Sequence, residues 1–192
     1  LIIILFPLGL GPIQEKLNIV SNAVIWVGLI LAIIPSLEKI LQKDFENGWL
    51  DQIATSPIPL EIVMLSKGLS YWLIILIPLI ITSPIFSILL DMDLKNIPWL
   101  VISISAGSLA ISLIGLSGSA LILGARRGNI LLPILTIPLM TPILIFGVGV
   151  NEAIKINASP YGNLYLLLAL TLVYLVISPF ISALLVRVAI GR

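Results

Sequence analysis

The chain alternates between long apolar stretches and short connections that carry its charged residues. A helix needs about 20 apolar residues to cross the hydrocarbon core of a bilayer, so windows of that length without ionisable residues indicate transmembrane helices. Five such windows occur, at residues 17–37, 68–90, 96–125, 128–151 and 156–186. We predict a complete transmembrane helix in each of them.

The opening run, residues 1–14, is also free of charge but is interrupted by Pro7, Gly9, Gly11 and Pro12. It is too short to cross a membrane, and we interpret it as the end of a first helix that is incomplete at the chain start. No basic segment precedes it, so we do not expect a signal peptide. The predicted fold is therefore an all-α polytopic membrane protein with six transmembrane helices.

The composition supports lipid as the solvent of this chain. Its mean hydropathy is +1.22, with 59% apolar and only 10% charged residues. That leaves too little polar surface to cover a water-soluble domain of this size. With a net charge of +1, the chain lacks the basic surface that binds nucleic acid, so we expect no nucleic-acid partner.

The distribution of cations predicts the orientation. If six helices alternate between the two sides, seven of the 10 Lys and Arg residues share one face, which the positive-inside rule makes cytoplasmic. They are Lys39, Lys43, Lys67, Arg126, Arg127, Arg187 and Arg192, against Lys16, Lys95 and Lys155. Three tryptophans lie within or near the ends of predicted spans: Trp26, Trp72 and Trp99. Their rings suit the headgroup layer, although two of them could equally be buried between helices.

The longest polar connection, residues 38–67, is hereafter called the linker, and we predict a short amphipathic helix at its start. Leu37, Ile40, Leu41 and Phe45 recur at steps of three and four residues, and Asn47-Gly48 is a typical helix end. Two interpretations remain open. The helix is either a lever that docks a soluble partner or an interfacial helix that only anchors a loop.

Four other segments have both a functional and a simpler interpretation. Pro57 and Pro59 form a stiff connector that transmits movement, or they separate two helices. The small residues at 106–124 allow close helix packing, either within the chain or across a dimer. Arg126 and Arg127 form a basic cytoplasmic turn that either binds lipid phosphate or contacts a partner or substrate directly. The prolines of the fourth window, Pro133, Pro138 and Pro142, predict a repeatedly interrupted and kinked helix, which either lines a substrate path or reflects the ordinary frequency of proline in membrane helices.

Several kinds of chemistry are excluded by the sequence itself. There is no His and no Cys, so metal sites and general bases built on these residues cannot form. No Gly-x-x-x-x-Gly-Lys-Ser/Thr string is present to bind a nucleotide phosphate. No ionisable residue lies deep in a predicted span, which argues against a proton relay. We expect a non-catalytic chain without a metal site.

A series of short strings, in order along nearly the whole chain, resembles the CcmB family, the haem exporter B subunit of cytochrome c maturation. The strings are Phe6-Pro7-Leu8-Gly9-Leu10-Gly11-Pro12, Leu37-Glu38-Lys39, Asp44-Phe45-Glu46-Asn47-Gly48, Ser56-Pro57-Ile58-Pro59-Leu60-Glu61, Gly124-Ala125-Arg126-Arg127-Gly128 and Pro142-Ile143-Leu144-Ile145-Phe146-Gly147.

The resemblance implies a permease-type subunit with a single ABC-2-type transmembrane domain over residues 1–192. It implies a multi-pass location in a bacterial inner membrane or in the mitochondrial inner membrane. The implied partners are a separate ABC ATPase subunit that binds the ATP, a haem-handling membrane component C, a small component D and a haem chaperone E. A homodimer and membrane lipids are further expected contacts. Haem is the expected substrate, and no cofactor is expected on this chain itself.

The resemblance also makes residues 38–61 the ATPase-docking region. We hypothesise that the apolar side chains of Leu37, Ile40, Leu41 and Phe45 dock the ATPase and that nearby carboxylates pair with basic groups around its groove. The carboxylates are those of Glu38, Asp44, Glu46 and Glu61, and the same region contains Gly48, Pro57 and Pro59. The alternatives are an ABC-2 permease for another export substrate and a passive assembly scaffold.

Overall fold

The computed structural model describes Leu5 and residues 14–125 and 128–191. The described residues form helices and turns and include no strand, which confirms the predicted all-α polytopic fold. The α-helices are α1 Gln14–Leu37, α2 Lys39–Glu46, α3 Trp49–Ala54, α4 Leu60–Tyr71, α5 Ile77–Leu89, α6 Ile97–Leu121, α7 Gly128–Lys155 and α8 Tyr161–Ala189. A π-helical segment, Trp72–Leu76, joins α4 to α5, and a 3-10 turn, Leu94–Asn96, precedes α6.

Five stretches of the described residues are long and apolar enough to cross a membrane, in agreement with the five complete windows. They are Leu17–Glu46, Leu60–Leu89, Leu94–Leu121, Ile130–Lys155 and Tyr161–Ala189. The predicted remnant of a first helix lies at residues 1–14, which apart from Leu5 and Gln14 are outside the described residues. The predicted basic turn of Arg126 and Arg127 is outside them as well.

The start of the span Leu60–Leu89 differs from the prediction. This span begins at Leu60, directly after Pro59, rather than at residue 68. The window was drawn from charge alone, so Lys67 set its limit. In the structure Lys67 forms an ion pair with Asp44 and lies within a continuous helix. A paired charge near a helix end is compatible with a span that starts two turns earlier.

Helix α6 forms the centre of the bundle and packs against α1, α4, α5, α7 and α8. Its small residues make this possible. A Cβ at Gly107 would lie 2.6 Å from the Trp26 ring, Gly115 faces Leu37, and Gly118 faces Thr136. The small-residue face of α6 is therefore used within this chain, which is the simpler of the two interpretations.

Helix α7 runs from Gly128 to Lys155 with Pro133, Pro138 and Pro142 inside it, and each proline removes one backbone hydrogen bond from the helix. Pro138 and Pro142 lie on the exposed side of the helix and Pro133 is half-buried. Their rings occupy mainly the outer surface of the bundle, where they do not obstruct the packing of α7 on α6. Gly147 lies on the opposite side and receives the Trp26 ring.

The bundle has two distinct ends. At one end, hereafter the linker end, the last turn of α8 meets the first turn of α4 through Arg187 and Glu61. At the other, the far end, Lys155 of α7 donates to the carbonyl oxygens of Asn18 and Ile19 in α1, at 3.2 and 3.1 Å. The described cations therefore divide between the two ends as the alternation of helices predicts.

Candidate coupling site at the linker

The predicted amphipathic helix is present as α2, Lys39–Glu46. It ends where the sequence indicated, because Asn47 caps it and Gly48 adopts a φ of +70°. A positive φ is accessible to glycine without steric cost, so Gly48 lets the chain turn at once into α3. Helix α3, Trp49–Ala54, was not predicted from the sequence.

The apolar face of α2 points into the bundle. Leu41 is fully buried, and its backbone N–H donates to Ser119 Oγ of α6 at 3.2 Å. The same hydroxyl donates to the carbonyl oxygen of Glu38 at 3.3 Å. Ile40 and Phe45 are partly buried and pack on the cluster that Leu41 forms with residues of α6 and α8. Leu37, at the end of α1, is fully buried against Gly115.

This placement differs from the hypothesis for two of the docking residues. Leu37 and Leu41 have no exposed surface to offer a partner, because their side chains contact the helices of this chain. Periodicity identifies an apolar face but does not say whether it packs on the chain itself or on another protein. Ile40 and Phe45 are half-buried and retain some exposed surface.

Asp44 and Glu61, which are among the predicted carboxylates, form ion pairs within the chain. Asp44 Oδ2 lies 2.8 Å from Lys67 Nζ, and Glu61 Oε1 lies 2.8 Å from Arg187 Nη2. The Lys67 ammonium also lies 4.5 Å from the centroid of the Trp49 ring. Surface ion pairs contribute about 0–1 kcal/mol each to stability. Here one pair joins α2 to α4 and the other joins α4 to α8.

The remaining predicted residues lie toward the outside of the linker. Glu46 is exposed and accepts a hydrogen bond from Gln42 Nε2 at 2.9 Å, and Glu38 is half-buried. Pro57 and Pro59 are exposed between α3 and α4, and Pro59 immediately precedes α4, in agreement with the simpler interpretation of these prolines. Lys39 and Lys43 are exposed on the outer side of α2.

Sequence reasoning missed the hydrogen bonds that fasten α4 to its neighbours. Ser112 Oγ of α6 donates to the carbonyl oxygen of Gly68 at 2.7 Å. Trp72 Nε1 donates to Ser108 Oγ at 2.9 Å, and the Tyr71 hydroxyl lies 2.5 Å from Ser36 Oγ of α1. The small hydroxyl residues of α6 were recognised only for their size, although their spacing also allows bonds across the helix interface.

The described residues show no cluster of acidic side chains that could hold a metal ion. Within the linker, α2 contacts α1, α4 and α6, and the first turn of α4 is joined to α8 through Glu61 and Arg187. The outer face of α2 is polar and accessible.

A bundle of apolar helices with a packed polar linker at one end defines a multi-pass α-helical membrane protein. The CcmB protein family model matches residues 1–189. The chain is 40% identical over 184 residues to Heme exporter protein B of Paracoccus denitrificans, covering 96% of this chain and 84% of that protein. It is 37% identical to the protein of the same name from Pseudomonas aeruginosa (100% and 86% covered) and 34% to that of Escherichia coli K12 (99% and 86%). The chain belongs to the CcmB family.

Proposed function

We propose that this chain is the permease subunit of an ABC-type exporter that serves cytochrome c maturation, with haem as the substrate. Family membership and the name that the relatives share support the substrate class. The chain has no phosphate-binding loop, so a separate ATPase subunit supplies the energy. The observation that carries the proposal is the linker, which packs on α1, α6 and α8 and exposes a polar face.

The coupling step follows from this arrangement. The ATPase subunit binds the outer face of the linker, and its nucleotide-dependent movement displaces α2 as a unit. Because Leu41 belongs to one buried cluster with residues of α6 and α8, the displacement reaches both helices. Lys67 transmits it to α4 through its pair with Asp44. Export of haem, or release of a loaded haem chaperone, takes place at the far end.

The proposed location is a bacterial inner membrane, with the linker end in the cytoplasm. Lys39, Lys43, Lys67 and Arg187 lie at the linker end, whereas Lys95 and Lys155 belong to the far end, and the positive-inside rule places the more basic end in the cytoplasm. In this orientation the linker meets a cytoplasmic ATPase. The haem-handling membrane component and the small component would lie beside the bundle, and the haem chaperone would act at the far end.

Removal of this chain from its host should abolish covalent attachment of haem to c-type cytochromes, which haem staining of denatured proteins measures. Re-expression of the chain is the control. Unchanged c-type haem together with loss of another exported compound would favour a permease for a different substrate. A passive scaffold would leave ATP hydrolysis by the partner the same in vesicles with and without this chain.

Reversing the charge of the outer face should weaken binding of the ATPase subunit. We expect Glu46→Lys to reduce co-purification of the ATPase about fivefold, because this carboxylate is exposed, the hypothesis pairs it with basic groups of the ATPase, and a charge contact across an interface is worth on the order of 1 kcal/mol. The matched control is Asp93→Lys, an exposed carboxylate at the far end. Equal losses in both variants would show that the linker is not the contact.

A further inference from the structure

The span Leu60–Leu89 contains an irregular segment whose role the proposed function does not explain. Between α4 and α5 the chain forms a π-helix over Trp72–Leu76, and the N–H of Ile77 bonds the carbonyl of Trp72, five residues back. Pro78 follows directly. Proline has no N–H, and its ring collides with the carbonyl four residues earlier in an α-helix, here that of Ile74. A wider turn relieves that collision, and π-turns occur frequently at functional sites.

The part of the span before this segment is fastened to the linker and to α6. Gly68 accepts a bond from Ser112, and Trp72, the first residue of the π-segment, donates to Ser108. Lys67 pairs with Asp44 of α2. Helix α4 is therefore held by directional contacts and moves with the linker.

The part after the segment is held differently. The hydroxyls of Thr82, Ser83 and Ser87 donate to carbonyls of α5 itself, at 3.1, 2.7 and 2.9 Å. Within the described part of the chain, no side-chain hydrogen bond joins residues 77–89 to another helix. Helix α5 contacts α1 and α6 through apolar packing, which is non-directional and tolerates sliding. The π-segment thus separates a fastened half from one that is free to tilt.

We propose that Trp72–Leu76 is a hinge at which displacement of the linker and α4 becomes a tilt of α5 against α6 at the far end. This inference rests on the proposed coupling function and names the element that performs it. The π-turn holds one residue more than an α-turn. Deleting one residue from the segment therefore restores a continuous α-helix while both flanking halves keep their faces toward the bundle.

Deletion of Ile74 tests the hinge, because this side chain is 70% exposed and its loss removes no core contact. The chain contains no cysteine, so spin labels can be attached at Ser66→Cys and Ile88→Cys on the two halves without background labelling. Positions 66 and 88 are 22 residues apart, which corresponds to roughly 33 Å along a helix and is suited to pulsed electron spin resonance. In lipid nanodiscs, we expect the deletion to narrow the distribution of label distances by at least a factor of two.

Three comparisons make the result decisive. Ile74→Ala keeps the chain length and should retain the broad distribution, and a label pair at Ser66 and Leu121 should be narrow in every variant. If the deletion does not insert, Pro78→Ala removes the cause of the wide turn and should narrow the distribution in the same direction. If the distribution of label distances is equally wide in the original chain and in every variant that inserts into the membrane, the hinge is refuted.

Measurements on the complex with the ATPase subunit distinguish a failure of the hinge from a failure of the proposed function on which the hinge rests. If the segment acts as a hinge, the variant that lacks Ile74 should co-purify with the ATPase normally but lose at least 90% of haem export. Normal export by a deletion with a narrowed distribution would overturn the hinge and leave the proposed function intact. Failure of the original chain to bind any ATPase would refute the proposed function, whereas the distance measurement on the chain alone would still decide the hinge.

Discussion

Replacing Gly147 with valine is expected to destabilise the core of this bundle strongly, because the Trp26 ring packs directly on this glycine. The Trp26 ring is fully buried against Gly147, and the nearest ring atoms occupy the position that a Cβ would take. An indole is rigid, and Gly107 of α6 confines the same ring from another side, so it cannot turn away. Overpacking of a core usually costs about 1–3 kcal/mol, and we expect a value of about 3 kcal/mol here.

The free energy of unfolding in mixed micelles with increasing denaturing detergent measures this effect. Gly162→Val is the matched control, because a Cβ at Gly162 in α8 would meet no atom within 4 Å. Trp26→Leu vacates much of the ring volume, so the double variant with Gly147→Val should lose less stability than the sum of the two single variants. Additive losses would mean that the two residues are not packed together in the membrane.

Much of the fold could be predicted because a membrane restricts the possible structures so strongly. An uncharged stretch of sufficient length has few alternatives to a spanning helix, which is why the five windows correspond to five helices. Helix α2 was predictable for a different reason. Its periodicity and the Asn47-Gly48 end are local features, and local features are readable from one segment of sequence.

The differences arise where a tertiary contact changes the meaning of a local feature. The charge of Lys67, considered alone, indicates that the residues around it do not belong to a transmembrane helix. In the structure this charge is paired with Asp44, which lies 23 residues earlier in the chain. The apolar face of α2 was hypothesised to dock a partner, but Leu41 packs on α6 and belongs to a buried cluster of this chain. The π-segment is followed by Pro78, which is visible locally, whereas the hydrogen bond from its first residue, Trp72, to Ser108 of α6 is not.

The linker itself could be located from the sequence, whereas the mechanical role proposed for it depends on which side chains are buried. An interfacial helix that merely anchors a loop would need only weak contacts with the bundle. Here Leu41 is fully buried, and its backbone N–H is bonded to Ser119 of α6. That degree of attachment suits the proposed transmission of movement from α2 to α6.

Replacing Leu41 with aspartate should release α2 from the bundle and abolish coupling. A carboxylate cannot remain in this fully buried position without a partner, since burying an unpaired charge costs several kcal/mol. The eight-residue α2 is too short to be stable alone in water, so it should unwind once its packing is lost. The transmembrane helices should remain folded, because α6 and α8 still pack on each other.

Limited proteolysis with trypsin measures this release, because Lys39 and Lys43 lie on α2 and become cleavable when the helix unwinds. We expect cleavage to accelerate about 100-fold, which corresponds to a loss of about 3 kcal/mol in local stability. Gln42→Asp introduces the same charge one residue further along, at a half-buried position on the outer side, and should leave the rate within about threefold. If both variants were cleaved equally fast, α2 would not be fixed through Leu41, and the linker could not carry movement from an ATPase to α6.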